Sequence, residues 1–101
     1  MYALAGVITQ GQKGTNNVVH SFTITTSIDE YNWKAVTENG QEKVFQGHDV
    51  GQSADNKKSN RFSGVAARYV RIIPQSYSGK IAMRSAVLFN GTLHLPHRDN
   101  M

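Results

Sequence analysis

Val18-Val19-His20-Ser21-Phe22-Thr23-Ile24-Thr25-Thr26-Ser27-Ile28 alternates along its whole length. Val18, His20, Phe22, Ile24, Thr26 and Ile28 fall on one face. Val19, Ser21, Thr23, Thr25 and Ser27 fall on the other, which is mostly polar. A period of two in a stretch rich in β-branched residues marks a half-buried strand. Downstream, Asp29-Glu30-Tyr31-Asn32 reads as a turn and residues 33–37 as a second strand. Asn39-Gly40 readily takes the positive φ angles of a tight hairpin turn, so residues 41–45 are the expected return strand. Residues 47–59 are polar and without period, as in a surface loop. Residues 61–63 suggest a short strand that Gly64 breaks. Residues 67–73 form another, ended by Pro74, which cannot donate to a ladder. Residues 75–80 read as a loop. Residues 81–89 alternate again, with Ile81, Met83, Val87 and Phe89 on one side, until Asn90-Gly91 stops them. Upstream, residues 1–8 lack a basic lead and meet polar Thr9-Gln10, which describes a strand and not a signal peptide. No amphipathic helix, repeat or low-complexity segment interrupts this series. Several short strands with regular turn signals indicate an all-β sandwich or barrel.

The 101 residues allow one small domain. The 39% hydrophobic share is that of a folded chain. No apolar run approaches the roughly 20 residues that span a bilayer as a helix. Cysteine is absent, which excludes disulfides, thiol chemistry and Cys-based zinc sites. The formal charge of +4 leans toward acidic partners, but the eleven Lys and Arg residues are scattered and read as a solvated basic surface.

Six segments, in order, resemble the discoidin domain, also called the coagulation factor V/VIII C-terminal type. They are Gly6-Val7-Ile8-Thr9-Gln10-Gly11, the strand 21–27 leading to Trp33, Asn39-Gly40-Gln41-Glu42-Lys43-Val44-Phe45-Gln46-Gly47, Ala67-Arg68-Tyr69-Val70-Arg71-Ile72, Pro74-Gln75-Ser76-Tyr77, and Ile81-Ala82-Met83-Arg84. The resemblance covers roughly residues 4–90. It implies a jelly-roll β-sandwich of galactose-binding-like type, here lacking the opening strands of the family pattern. Residues 1–91 would be this partial domain and 92–101 a loose tail. The family's paired cysteines are absent, and Asn90 stands where the C-terminal one would fall. Missing strands would leave unpaired edges that invite a partner chain or self-association.

The resemblance further implies a non-catalytic adhesion or lectin-like module in an extracellular or cell-surface setting, without cofactors. Its ligands, cell-surface carbohydrate or anionic phospholipid, with protein receptors as a further class, would meet loops at one end of the sandwich. The loop Gln12-Lys13-Gly14-Thr15-Asn16-Asn17 matches one of these. It is polar, suited to sugar hydroxyls and ill suited to hydrocarbon, so carbohydrate ranks above phospholipid. Lys13, Asn16, Asn17, Tyr77 and Arg84 are the expected ligand residues. Tyr77 can stack on a sugar face or anchor its loop. Arg84 can pair with an anion or bridge strands internally, and the bridge is favoured.

Other constellations are weaker. Tyr69 and Arg71 share a strand face, but the family strand accounts for them better than a nucleic-acid stack does. His48-Asp49 lacks the surrounding His and Asp of a metal-dependent hydrolase. His94 and His97 lie in the tail without a set of further ligands. No nucleophile elbow occurs, so no enzyme is expected. Trp33 is expected in the core. Asn90-Gly91-Thr92 is a glycosylation sequon, relevant in a secreted parent. The rival to the lectin-like reading is an interaction module that binds a protein, or a second copy, through an exposed sheet edge.

Overall fold

The computed structural model describes residues 2–49 and 52–89. Asn90, His94, His97 and the expected tail lie outside them. Among the described residues nine strands follow one another: β1 (Tyr2–Gln10), β2 (Val18–Ser27), β3 (Lys34–Ala35), β4 (Thr37–Glu38), β5 (Gln41–Glu42), β6 (Phe45–Gln46), β7 (Lys58–Ala67), β8 (Tyr69–Ser78) and β9 (Arg84–Phe89). Among the described residues there is no helix. One antiparallel sheet runs β7-β1-β9. The other is centred on β2, which pairs with β8 along one edge and with β3 and β6 along the opposite edge. The two face each other as a sandwich, and β4-β5 forms a separate hairpin.

Phe22 and Ile24 on the central strand are fully buried as the alternation predicts, but Thr23 between them is buried as well. The phase of the alternation slips before that. Register shifts between Val19 and Ser21 and between Ser21 and Phe22 turn Val19 inward. A bulge adds a residue to one strand and so swaps its faces. Beyond the strand's end, Ile28 leaves the apolar face and lies exposed.

The core is Val7, Val19, Phe22, Ile24, Val36 and Phe45. Phe22 and Phe45 sit opposite each other across strands and stack at 5.5 Å between centroids. Phe62 from the other sheet meets Phe45 edge-on at 5.7 Å, which fastens the two layers. Phe62, Val65, Val70, Ile72 and Met83 pack around this cluster but stay only partly buried.

The Asn39-Gly40 hairpin forms as expected, with φ of 56° and 79° at the two central residues. Its return strand is divided. Gln41–Glu42 pairs with Thr37–Glu38, and Phe45–Gln46 then crosses to β2.

Two expected strand breaks do not occur. Gly64, at φ 76°, lies inside β7, where Phe62, Ser63 and Gly64 bulge out between Val65 opposite Leu4 and Arg61 opposite Gly6. Glycine accommodates the kink without ending the strand. Pro74 lies inside β8, opposite Phe22 at a register shift. Among the described residues β8 pairs only with β2, so the missing N–H sits at an irregular point of an edge strand. The loop expected at 75–80 therefore starts only after Ser78, and β9 starts at Arg84 instead of Ile81.

Trp33 is not a core residue. It is half-buried beside β3, and its indole Nε1 donates to the Glu30 carbonyl at 3.1 Å. The Arg71 guanidinium covers its ring at 3.9 Å.

Candidate functional site at the loop end

Three connections meet where β2 begins: residues 11–17 between β1 and β2, the described residues 47–49 and 52–57 between β6 and β7, and residues 79–83 between β8 and β9. The first is a compact turn. Thr15 N and Oγ1 both donate to the Gln12 carbonyl, at 3.2 and 2.8 Å, and Asn17 N donates to Thr15 Oγ1 at 3.0 Å. Gln12 N closes the loop on the Asn17 carbonyl at 3.1 Å. Such bonds fix a polar segment that has no hydrophobic anchor of its own.

Asn17 joins this loop to its neighbour. Its Nδ2 donates to Gln12 Oε1 at 2.7 Å, and its Oδ1 accepts from Lys80 N at 3.1 Å. Gly79, at φ 72°, passes so close that a Cβ there would collide with Asn17 Oδ1. Both the positive φ and the close approach call for glycine.

Arg84 joins the loop to the third connection. Its Nε donates to the Gly11 carbonyl at 2.7 Å, and its Nη2 to Asp55 Oδ1 at 2.9 Å and the Ala54 carbonyl at 3.4 Å. Asp55 Oδ1 also accepts from Gly14 N at 3.4 Å, and the Asp55 carbonyl accepts from Gln10 Nε2 at 2.7 Å. Gly11 N donates to the Ala54 carbonyl at 2.8 Å.

A buried histidine supports the platform from below. His48 is 2% exposed, and its Nε2 lies 2.6 Å from the Asn56 carbonyl. His20 Nδ1 lies 2.6 Å from the His48 carbonyl, and its Nε2 faces Ser78 Oγ. A carbonyl only accepts, so His48 carries its proton on Nε2 and His20 on Nδ1. The second His20 nitrogen, Nε2, is hydrogen-bonded to the Ser78 hydroxyl. The His48-Asp49 dipeptide thus belongs to a loop whose histidine ties residues 47–57 to β2. Among the described residues no three His, Asp or Glu side chains approach closely enough to hold a metal ion.

The five expected ligand residues all lie at this end, in two roles. Lys13 and Asn16 are exposed on the loop, and neither side chain has a partner among the described residues. Tyr77 stands on edge strand β8 opposite Val19 and is 48% exposed. Asn17 and Arg84 are braces; Arg84 bridges loop residues and not strands, and its side chain stays partly exposed. Sequence reasoning missed Asp55 and the exposure of Ile81, and named Gln12 only as part of the loop. Asp55 and Gln12 carried no signal beyond their polarity. Ile81 was assigned to a strand face, whereas it stands 59% exposed in the β8–β9 connection.

Comparison with known proteins gives a consistent picture. The F5/8 type C domain family matches residues 1–87. Coagulation factor VIII of Canis lupus familiaris is 39% identical over 88 residues, which is 84% of this chain and 4% of that protein. Lactadherin of Mus musculus is 34% identical over 87 residues, 84% of this chain and 18% of that protein. The human EGF-like repeat and discoidin I-like domain-containing protein 3 is 34% identical over 89 residues, again 84% and 18%. The chain therefore spans a small part of each of these longer proteins.

Proposed function

This chain belongs to the F5/8 type C (discoidin) domain family, and from that premise we propose that it is a non-catalytic binding module whose loop end recognises cell-surface carbohydrate. The observation that carries the reading is the division of labour at that end. Asn17, Asp55 and Arg84 spend their polar groups on holding the loops, while Lys13 and Asn16 keep theirs free. A rigid loop with uncommitted donors and acceptors can bind sugar hydroxyls with little ordering cost. Tyr77 supplies an exposed ring for the apolar face of a sugar. By its kinship with that family we propose an extracellular or cell-surface setting for the module, with residues 1–91 as its proposed extent in this chain.

An anionic phospholipid surface is the second reading, favoured by one observation. Tyr77 and Ile81, both about half exposed or more, stand near the loop with Lys13. Apolar tips beside a cation suit an interface between headgroup and acyl chain.

Glycan-array binding compared with vesicle binding at low and physiological salt separates the two. Glycan binding that weakens in Lys13→Gln and Asn16→Ala supports the first reading. Vesicle binding alone, lost as salt rises, reverses the order.

The edge-pairing reading has its own support. Among the described residues β7 pairs only with β1. Its segment 62–66 lines a cleft of 390 Å³ against residues 34–37. A concentration-dependent dimer in sedimentation, abolished by a proline placed in β7, would favour that role over ligand binding at the loops.

A further inference from the structure

The outer face of the β7-β1-β9 sheet carries a hollow that the loop end does not use. It measures 210 Å³ and is lined by Ile8, Gln10, Lys57, Arg84, Ser85 and Ala86. The register shows how it arises. Arg84 lies opposite Gln10 and Ala86 opposite Ile8 on one side of β1. On the other side Lys58 lies opposite Thr9, which brings Lys57 alongside Gln10. Val7 and Thr9 point into the core, so Ile8 and Gln10 point away from it and form the floor. Adjacent strands lie roughly 4.8 Å apart, so Lys57 and Arg84 stand about 10 Å apart across Gln10. That is a backbone spacing, and both side chains line the hollow above Gln10.

The charges in the hollow are unequal. Arg84 is compensated by Asp55, whose carboxylate is turned toward Arg84 Nη2 and Gly14 N and does not line the hollow. Lys57 is exposed and has no partner among the described residues. The hollow therefore carries an uncompensated positive charge. Its small residue Ala86 leaves the space open, and among the described residues no acidic side chain lines it.

We propose that this hollow is an oxyanion subsite, taking a sulfate or phosphate ester through Lys57 with the Arg84 guanidinium on its far wall. It rests on the loop-end reading and deepens it. The ligand would be a sulfated sugar or a phosphate headgroup that reaches from the loops over the rim at Arg84 onto the sheet face. Lys supplies a mobile point charge, and Arg, held by its bonds to Gly11 and Asp55, a fixed one.

The test is an amide chemical-shift titration of the whole chain with four probes: inorganic sulfate, a galactose sulfate ester, unsulfated galactose, and vesicles with or without phosphatidylserine. Shifts at Gln10, Ser85 and Ala86 with the sulfate ester or the phosphatidylserine vesicles, whichever is the source, are expected. Lys57→Gln should weaken that response at least tenfold and Lys57→Arg should restore it. Shifts confined to residues 12–17 would overturn the subsite and leave the loop-end reading standing. Shifts at the hollow with inorganic sulfate alone would overturn it as a ligand subsite. Silence at both places would overturn both.

Discussion

The Arg84 guanidinium and the Asp55 carboxylate, 29 residues apart in the chain, meet at 2.9 Å and tie three connections into one platform. Both side chains are about half exposed, so the ion pair by itself contributes little, roughly 0.2–1 kcal/mol. The partly buried bond from Arg84 Nε to the Gly11 carbonyl is charge-assisted and counts for more, about 1.5–3 kcal/mol. Arg84→Ala should therefore destabilise the chain by about 2 kcal/mol and Asp55→Ala by less than about 1 kcal/mol. Arg84→Lys should recover little, because one ammonium cannot reach Gly11, Ala54 and Asp55 together. Urea unfolding of the three variants measures this order. Equal losses for Arg84→Ala and Asp55→Ala would show that the ion pair, and not the carbonyl bonds, holds the loops.

Asn17 gives a local counterpart. Asn17→Ala removes the acceptor for Lys80 N and the donor to Gln12, for a loss of about 1–2 kcal/mol. The Lys80 amide should then exchange with solvent faster. Asn17→Asp keeps an acceptor for that amide and should keep its protection while losing the Gln12 contact. If Lys80 exchanges equally fast in the wild type and both variants, the two connections are not joined through this residue.

These braces mark where the sequence stopped being readable. The Asn39-Gly40 hairpin was legible because two adjacent residues dictate the positive φ angles. The central strand was legible from its alternation, but its phase at Val19 was not, since the bulges that turn it inward depend on pairing with β8. Continuation of β7 through Gly64 and of β8 through Pro74 was hidden for the same reason. A breaker residue breaks a strand only if its position in the sheet requires the missing group. At the site, residue type told which side chains were polar. Only the fold showed which were already occupied: Asn17 by Lys80 and Gln12, Arg84 by Gly11 and Asp55. Asp55 was invisible because its partners come from two distant segments, 10–14 and 84.

The turn at the opposite end of the sandwich supplies a pH dependence. Asp29 is held well below the usual carboxylate range. The largest cause is the Asn32 backbone N–H, followed by the Asn32 side-chain amide, the Tyr31 N–H and the Ser27 hydroxyl, all donating to it. A carboxyl whose folded pKa is depressed stabilises the fold above its unfolded value, about 3.9, and loses that contribution as pH falls toward the folded one. The turn should thus weaken below about pH 4. Asp29→Asn should be less stable at neutral pH and should flatten this acid limb. Acid titration followed by the amide shifts of Tyr31 and Asn32 checks it. Parallel acid limbs in wild type and variant would remove Asp29 as the cause.

Trp33, the chain's single tryptophan, reports on the outer face of the second sheet. Thr25 lies opposite both Ala35 and Arg71, so β2 separates the arginine from the strand that follows Trp33. Arg71 reaches across Thr25 to place its guanidinium 3.9 Å over the indole. At an exposed site such a contact is worth about 0.5–1 kcal/mol, and it also shields the ring from water. Arg71→Ala should lower stability by about that amount. It should shift Trp33 emission to the red in the folded state, while the Nε1 bond to the Glu30 carbonyl keeps the ring in place. Arg71→Lys should fall between, since an ammonium offers charge without a flat face to stack. A folded-state emission spectrum identical in all three proteins would mean that the guanidinium does not cover the ring in solution, and Trp33 would then be open as a surface for aromatic contact.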